Sequence, residues 1–216
     1  MPYSPKPTKK EVVTAFRTRE ILAAARKLME QRGLEAVTMD EIAGAAGVAK
    51  GTIYLYFPSK DELIQELLSQ VGENLRAALE SIINTPQPPE EKLRQVVTWL
   101  LRHLERERVL FPVFLQELRQ ERSGEPGRGR RFHDLEEKIM AQLTGLFAEG
   151  IVQRQFIPAN PRLLTFMLRG LVRSVGYYQM SEGQEEAVKE ALPLLLTLLS
   201  SGLTPKPQAA AEVATP

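Results

Sequence analysis

The stretch TMDEIAGAAGVAKGTIYLYFPSK, running from Thr38 to Lys60, decides how this chain is read. Thr38 is followed three residues later by Glu41, the pattern in which a threonine hydroxyl caps a helix and the N3 glutamate reaches back to it. The helix so started is short, with Ile42, Ala43, Ala45 and Ala46 on its apolar side and Gly47 closing it. A second short helix is predicted over Lys50 to Tyr56. Pro58 stops it, and Ser59 with Glu62 repeats the capping pattern at the head of a long helix that opens at Lys60. Two short helices joined through Gly47 and Val48 make a helix-turn-helix. Ala43 is small enough to let the second helix cross close to the first, and Gly47 supplies a turn conformation that other residues avoid. Val48 and Ile53 pack back, and Phe57 reads as core. The outward side then offers Lys50, Thr52, Tyr54 and Tyr56, all hydrogen-bond donors, and at Gly51 the backbone lies bare. Such a helix presents its N-terminal end to a major groove, and Lys60 adds a phosphate contact.

Working outward, Ile21, Leu22, Ala25, Leu28 and Met29 recur at helical spacing from Arg17 onward, and Gly33 ends that run. Residues 1–16, opening on a proline- and lysine-rich segment, are expected to form a disordered arm. C-terminal to the motif, helical patterns cover residues 60–84, 89–106, 109–121, 131–153, 161–180 and 185–201. Pro89 suits the first position of its helix, and a Gly/Pro loop spans 123–129. The Pro/Ala-rich residues 204–216 read as a disordered tail. No strand-like alternation is found. The fold class is all-α with about nine helices. A helix-turn-helix DNA-binding domain is placed at 17–62, and a helical body at 63–203.

Composition narrows the chemistry. The 216 residues include no cysteine and two histidines, His103 and His133, thirty positions apart. Disulfides, thiol nucleophiles and cysteine-based zinc sites are excluded, and no metal site is expected. The N-terminus lacks a signal-peptide core. The most apolar run, Ala191 to Leu199, contains Pro193 and is too short for a bilayer, so a cytoplasmic protein without membrane partners is expected. The formal charge of +1 conceals an asymmetry: residues 1–60 hold ten Lys/Arg against six Asp/Glu, and the remainder is net acidic. A basic end on an acidic body fits a DNA-binding head on a body that does not bind DNA.

The residues Thr38, Ile42-Ala43, Ala46-Gly47-Val48, Gly51-Thr52, Tyr54, Tyr56-Phe57, Lys60 and Leu63, at their spacing, resemble the TetR family of transcriptional regulators. The likeness is sharp over residues 17–65; beyond them it rests on length and helical character. It implies Lys50, Gly51, Thr52 and Tyr54 at the DNA, with Thr38, Tyr56 and Lys60 on phosphates. Ala49 departs from the Ser or Thr of many members, which removes a helix cap and one phosphate contact. The resemblance further implies that residues 63–203 are an effector-binding and dimerisation domain, and that the protein is a dimer through the last two helices that binds a palindromic site in double-stranded DNA. It also implies repression relieved by a small hydrophobic effector, with no resident cofactor.

In the body, Trp99, Phe111, Phe114, Phe147, Phe166 and Met167 either line an effector cavity or form ordinary core. Arg169 and Arg173 sit one helical turn apart in an apolar stretch. They serve either an anionic effector or acids at a subunit interface. Arg128, Arg130 and Arg131 form a basic cluster in a loop. The segment 114–119 resembles family members that sense fatty acyl-coenzyme A, which makes that class the leading effector. Leu164, Leu168, Leu171, Val172 and Val175, with Leu192, Leu195, Leu196 and Leu199, are expected to pair across a two-fold axis. Gly170 and Gly176 allow close approach there, and Pro193 bends or breaks the last helix. Two rival readings are an enzyme, for which no catalytic constellation stands out, and a helical interaction protein whose helix-turn-helix does not bind DNA.

Overall fold

The computed structural model describes residues 8–120, 130–182 and 186–204, and among these every regular element is a helix. The chain divides into two compact units. The first holds Met1–Val71 together with Val109–Arg119, and the second holds Gly72–Arg108 and Gln120–Pro216.

The first unit is built on α1 (Lys9–Arg32), α2 (Met39–Ala45), α3 (Lys50–Tyr56), the opening turns of α4 (Lys60–Ile83) and α6 (Phe111–Gln120). Helix α1 begins eight residues earlier than periodicity indicates. Thr8 caps it: the Glu11 N–H donates to the Thr8 hydroxyl at 3.3 Å, and the Thr8 N–H donates to the Glu11 carboxylate at 2.7 Å. The expected disordered arm is therefore corrected from Lys9 onward; residues 1–7 lie outside the described residues. Val12, Val13 and Phe16, on these added turns, stay about half exposed, so they leave no core-facing period to read. Gly33 ends the helix at φ 81°, and its N–H donates to the Met29 carbonyl.

Ile21, Met29, Ile42, Ile53 and Leu63 meet in a core that excludes solvent almost completely. Each such side chain contributes roughly 1.5–3 kcal/mol on burial. Leu110 joins this core, with Val113 and Phe114 packed against it. The body domain anticipated from residue 63 thus gives up Leu63, Leu67 and the α6 segment to the first unit. Phe111 and Phe114, stacked 6.2 Å apart, belong there too.

The second unit contains the later part of α4, α5 (Pro89–Arg106), α7 (Arg130–Val152), α8 (Pro161–Glu182) and α9 (Ala187–Leu203). Helix α7 packs on α8, and α5 packs on α7, α8 and α9. Val96, Leu101, Leu146, Phe147 and Leu168 form its interior. Gly150 lies against the Phe156 ring so closely that a Cβ there would collide with it. The turn that returns Phe156 passes through Arg154 at φ 58° and closes on the Gly150 carbonyl, which accepts from the N–H groups of Gln155 and Phe156. Lys92, almost wholly buried, is neutralised by Glu149 at 3.1 Å. Pro193 does not break α9, which is continuous across it. The tail beyond Thr204 lies outside the described residues. No helix among the described residues is long and apolar enough to cross a membrane.

Candidate nucleic-acid interface

Helix α2 starts as the sequence requires. The Glu41 N–H donates to the Thr38 hydroxyl at 3.3 Å and the Thr38 N–H to the Glu41 carboxylate at 2.9 Å. Arg32, from the end of α1, adds a bond to the same carboxylate at 2.7 Å. The Thr38 backbone bond is the largest of these influences, Arg32 the next, and together they hold Glu41 down at about 2. The α2–α3 turn passes through Gly47 at φ 66°, the left-handed region where a side chain is costly, and the Val48 N–H donates to the Ala43 carbonyl at 3.0 Å. Ala49 caps α3 without a side-chain bond.

Helix α3 sorts its seven residues by angle. Ile53 is wholly buried and Phe57, just past its end, nearly so. Lys50, Gly51, Tyr54 and Leu55 are exposed, and at 3.6 residues per turn they share an arc of about 140°. Thr52 and then Tyr56 follow beyond the Leu55 edge of that arc, both half-buried, with Tyr56 packed against the core of the unit. The expected outward set is thereby corrected. Lys50, Gly51 and Tyr54 present a face, Thr52 stands at its border, and Tyr56 leans inward because its position lies nearer to Ile53 than to Lys50 around the helix. Leu55, 83% exposed, is the residue that sequence reasoning missed. Its signal was available, since a position two after the buried Ile53 and four after Gly51 has to point outward.

One lysine lies on this face and another opens the next helix. The Lys50 ammonium lies 2.5 Å from the Asp40 carboxylate, with both side chains largely in solvent. The bond to Asp40 raises the Lys50 pKa, so it stays charged at neutral pH. Lys60 donates to the Glu35 carbonyl at 3.3 Å, which tethers the start of α4 to the loop before α2. Thr38 is exposed, with its hydroxyl engaged in the cap.

The effector candidates are not brought together. Trp99 stacks on His103 at 4.4 Å, with the Arg106 guanidinium 5.7 Å from its ring. Phe147 is buried against Phe156. Phe111 and Phe114 belong to the first unit. Phe166 and Met167 are 44% and 57% exposed, so they do not line the interior of the second unit; their side of α8 faces away from the buried Leu164 and Leu168. Arg169 and Arg173 both bond to Glu136 on α7, so the acid they meet lies in their own chain. Arg169 also lies over the Phe166 ring, 4.8 Å from its centroid. Burial and the neighbouring Arg169 draw the Arg173 pKa down, and Glu136 opposes this. Of the basic loop, Arg128 lies outside the described residues, as do the side chains of Arg130 and Arg131. Among the described residues no group of three acidic or imidazole side chains forms a metal site.

This geometry can be set beside known proteins. Residues 21–67 match the family described as bacterial regulatory proteins, tetR family, and residues 86–187 match the tetracyclin repressor-like C-terminal domain. The chain belongs to the TetR family. This TetR-family chain is a DNA-binding transcription regulator, not an enzyme. It is 25% identical over 152 residues to the HTH-type transcriptional regulator YhgD of Bacillus subtilis, covering 70% of this chain and 78% of that one. It is 35% identical over 79 residues to the HTH-type transcriptional repressor KstR2 of Mycolicibacterium smegmatis, a match spanning 37% of this chain and only 38% of that relative's length. Among solved structures, the regulator FadR of Bacillus subtilis in complex with stearoyl-CoA superposes with a TM-score of 0.68 at 26% identity. That likeness covers 85% of this chain and 98% of FadR.

Proposed function

We propose that this TetR-family regulator is a cytoplasmic repressor. It binds a palindromic operator as a homodimer and leaves it when a hydrophobic small molecule, of the fatty acyl-coenzyme A class, enters the second unit. The observation that carries the effector class is the likeness to FadR, which was solved with stearoyl-CoA and matches along nearly its whole length. The DNA contacts fall to the exposed face of α3, namely Lys50, Gly51 and Tyr54, with Thr52 at its border. Thr38, Tyr56 and Lys60 contact phosphates.

The dimer reading is supported by α8 and α9. Leu163, Phe166, Met167, Tyr177, Tyr178 and Met180 are exposed on α8, and Leu194 and Leu198 on α9. Gly170 stands among them with open space where a Cβ would be. A second copy laid on these helices removes this apolar surface from water, and a palindromic site requires the two α3 helices of such a dimer to reach successive major grooves, roughly 34 Å apart. The effector works by differential affinity: it binds better when the two heads are spaced wrongly for successive grooves, and DNA weakens effector binding by the same factor. Helix α4 has residues in both units and is the connecting element. Stearoyl-CoA titrated into the protein with and without operator duplex tests the coupling. A tenfold or greater loss of ligand affinity in the presence of operator is expected; equal affinities overturn it.

A further inference from the structure

We infer that Leu55 is a sequence-reading residue, making an apolar contact with the C5-methyl group of a thymine in each operator half-site. The inference rests on the DNA-binding reading of α3 and adds to it a base and a chemical group.

Leu55 takes no part in the core of its own unit. It is 83% exposed, whereas the unit's core is filled by Ile53, Phe57 and the residues they meet. A leucine held in water on a short helix gives up the burial that its side chain would gain elsewhere. Gly51, one turn earlier on the same arc, is equally unexplained from inside. A Cβ there would meet nothing within 4 Å, and its backbone is ordinary right-handed helix. Glycine at that position weakens the helix relative to alanine without relieving any contact. Both features are accounted for by a surface that comes close from outside, with Gly51 letting the backbone approach and Leu55 reaching past it. Lys50 and Tyr54 on the same arc supply charge and a donor for phosphates and base edges; Leu55 is the one residue of the arc whose side chain is wholly aliphatic. In the major groove thymine alone of the four bases carries a methyl group, and an aliphatic side chain is its natural partner.

The test is selection from a randomised duplex library with the full-length protein and with Leu55→Ala, followed by affinity measurements in which each selected thymine is replaced by uracil. The wild type is expected to enrich one thymine at a fixed place in each half-site. Removing its methyl should cost about fourfold per half-site, the worth of one buried methyl. Leu55→Ala should lose that preference and the uracil effect while keeping the rest of the consensus, and its thermal unfolding should match the wild type. An unchanged consensus with unchanged uracil sensitivity overturns the assignment. So does a variant that loses affinity uniformly for all sequences. Failure of the wild type to enrich any sequence would overturn the DNA-binding reading itself, and is distinguished because it needs no variant.

Discussion

Helices α3 and α8 share an oddity and differ in its chemistry. Each carries a glycine with empty space where a Cβ would be, Gly51 in the first turn of α3 and Gly170 in the middle of α8, and each surrounds it with large exposed side chains. Around Gly51 these are a lysine, a tyrosine and one leucine. Around Gly170 they are mostly apolar, with Phe166, Met167, Tyr177 and Tyr178 among them. Vacant space beside a helical glycine occurs at Gly44 and Gly145 as well, so it permits a close approach from outside without marking one. The side chains around it distinguish the two helices: a mixed charged and donor surface suits a polyanion with base edges, and an apolar one suits another protein surface. Gly150 is the useful contrast, because its space is already taken by Phe156.

The comparison breaks most visibly at Met167. Met167→Glu places a charge in the surface proposed to be covered, at a cost of about 3 kcal/mol, on the order of 100-fold in association. Sedimentation equilibrium should show a monomer that keeps the wild-type helix content by circular dichroism; an intact dimer would remove α8 from the interface. Ile53→Ala and Leu55→Ala test neighbouring positions of one helix. The first should cost about 2–5 kcal/mol of stability through the cavity it leaves, and the second nearly nothing, as read by urea unfolding. Gly51→Ala should act with opposite signs, raising stability by about 0.5–1 kcal/mol while lowering operator affinity. A loss of stability would mean that the chain itself needs the glycine. Lys60→Ala should weaken binding to all duplexes alike and reduce the slope of log affinity against log salt by about one.

The smallest expected effect concerns pH. Glu41 has its folded pKa depressed from 4.5 to about 2, so its contribution is present above 4.5 and fades as pH falls toward 2. Melting temperatures of Glu41→Gln and wild type should converge over that window; curves that stay parallel through it would mean the cap contributes no proton-linked stability.

The head was largely legible because its signals are local. A threonine with a glutamate three residues later, a glycine at the turn and Pro58 after the helix each act within a few residues, and α3 lies where they place it, at Lys50–Tyr56. The start of α1 was hidden although Thr8 and Glu11 carry the same capping pattern, because Val12, Val13 and Phe16 bury no stripe. The body was harder for a different reason. An apolar stripe at helical spacing looks the same whether it faces a cavity, a core or another chain, so Phe166 and Met167 could not be told from Phe147. Which acid would meet Arg169 and Arg173 was equally unreadable, since Glu136 is more than thirty residues away.

Under the proposed reading of α3, the pairing of Lys50 with Asp40 bears on how the protein meets duplex of any sequence. Every stretch of duplex offers the same phosphates, and an unopposed ammonium at the tip of the reading helix would hold the protein on all of them. Asp40 sets a toll on each such encounter, because the lysine has to leave its carboxylate before it can serve the backbone, and the carboxylate is then left facing a polyanion. Only a site that also satisfies the rest of α3 repays that exchange. The exposed pair thus subtracts the same small amount from every encounter with duplex, and selectivity is left to the rest of the α3 face.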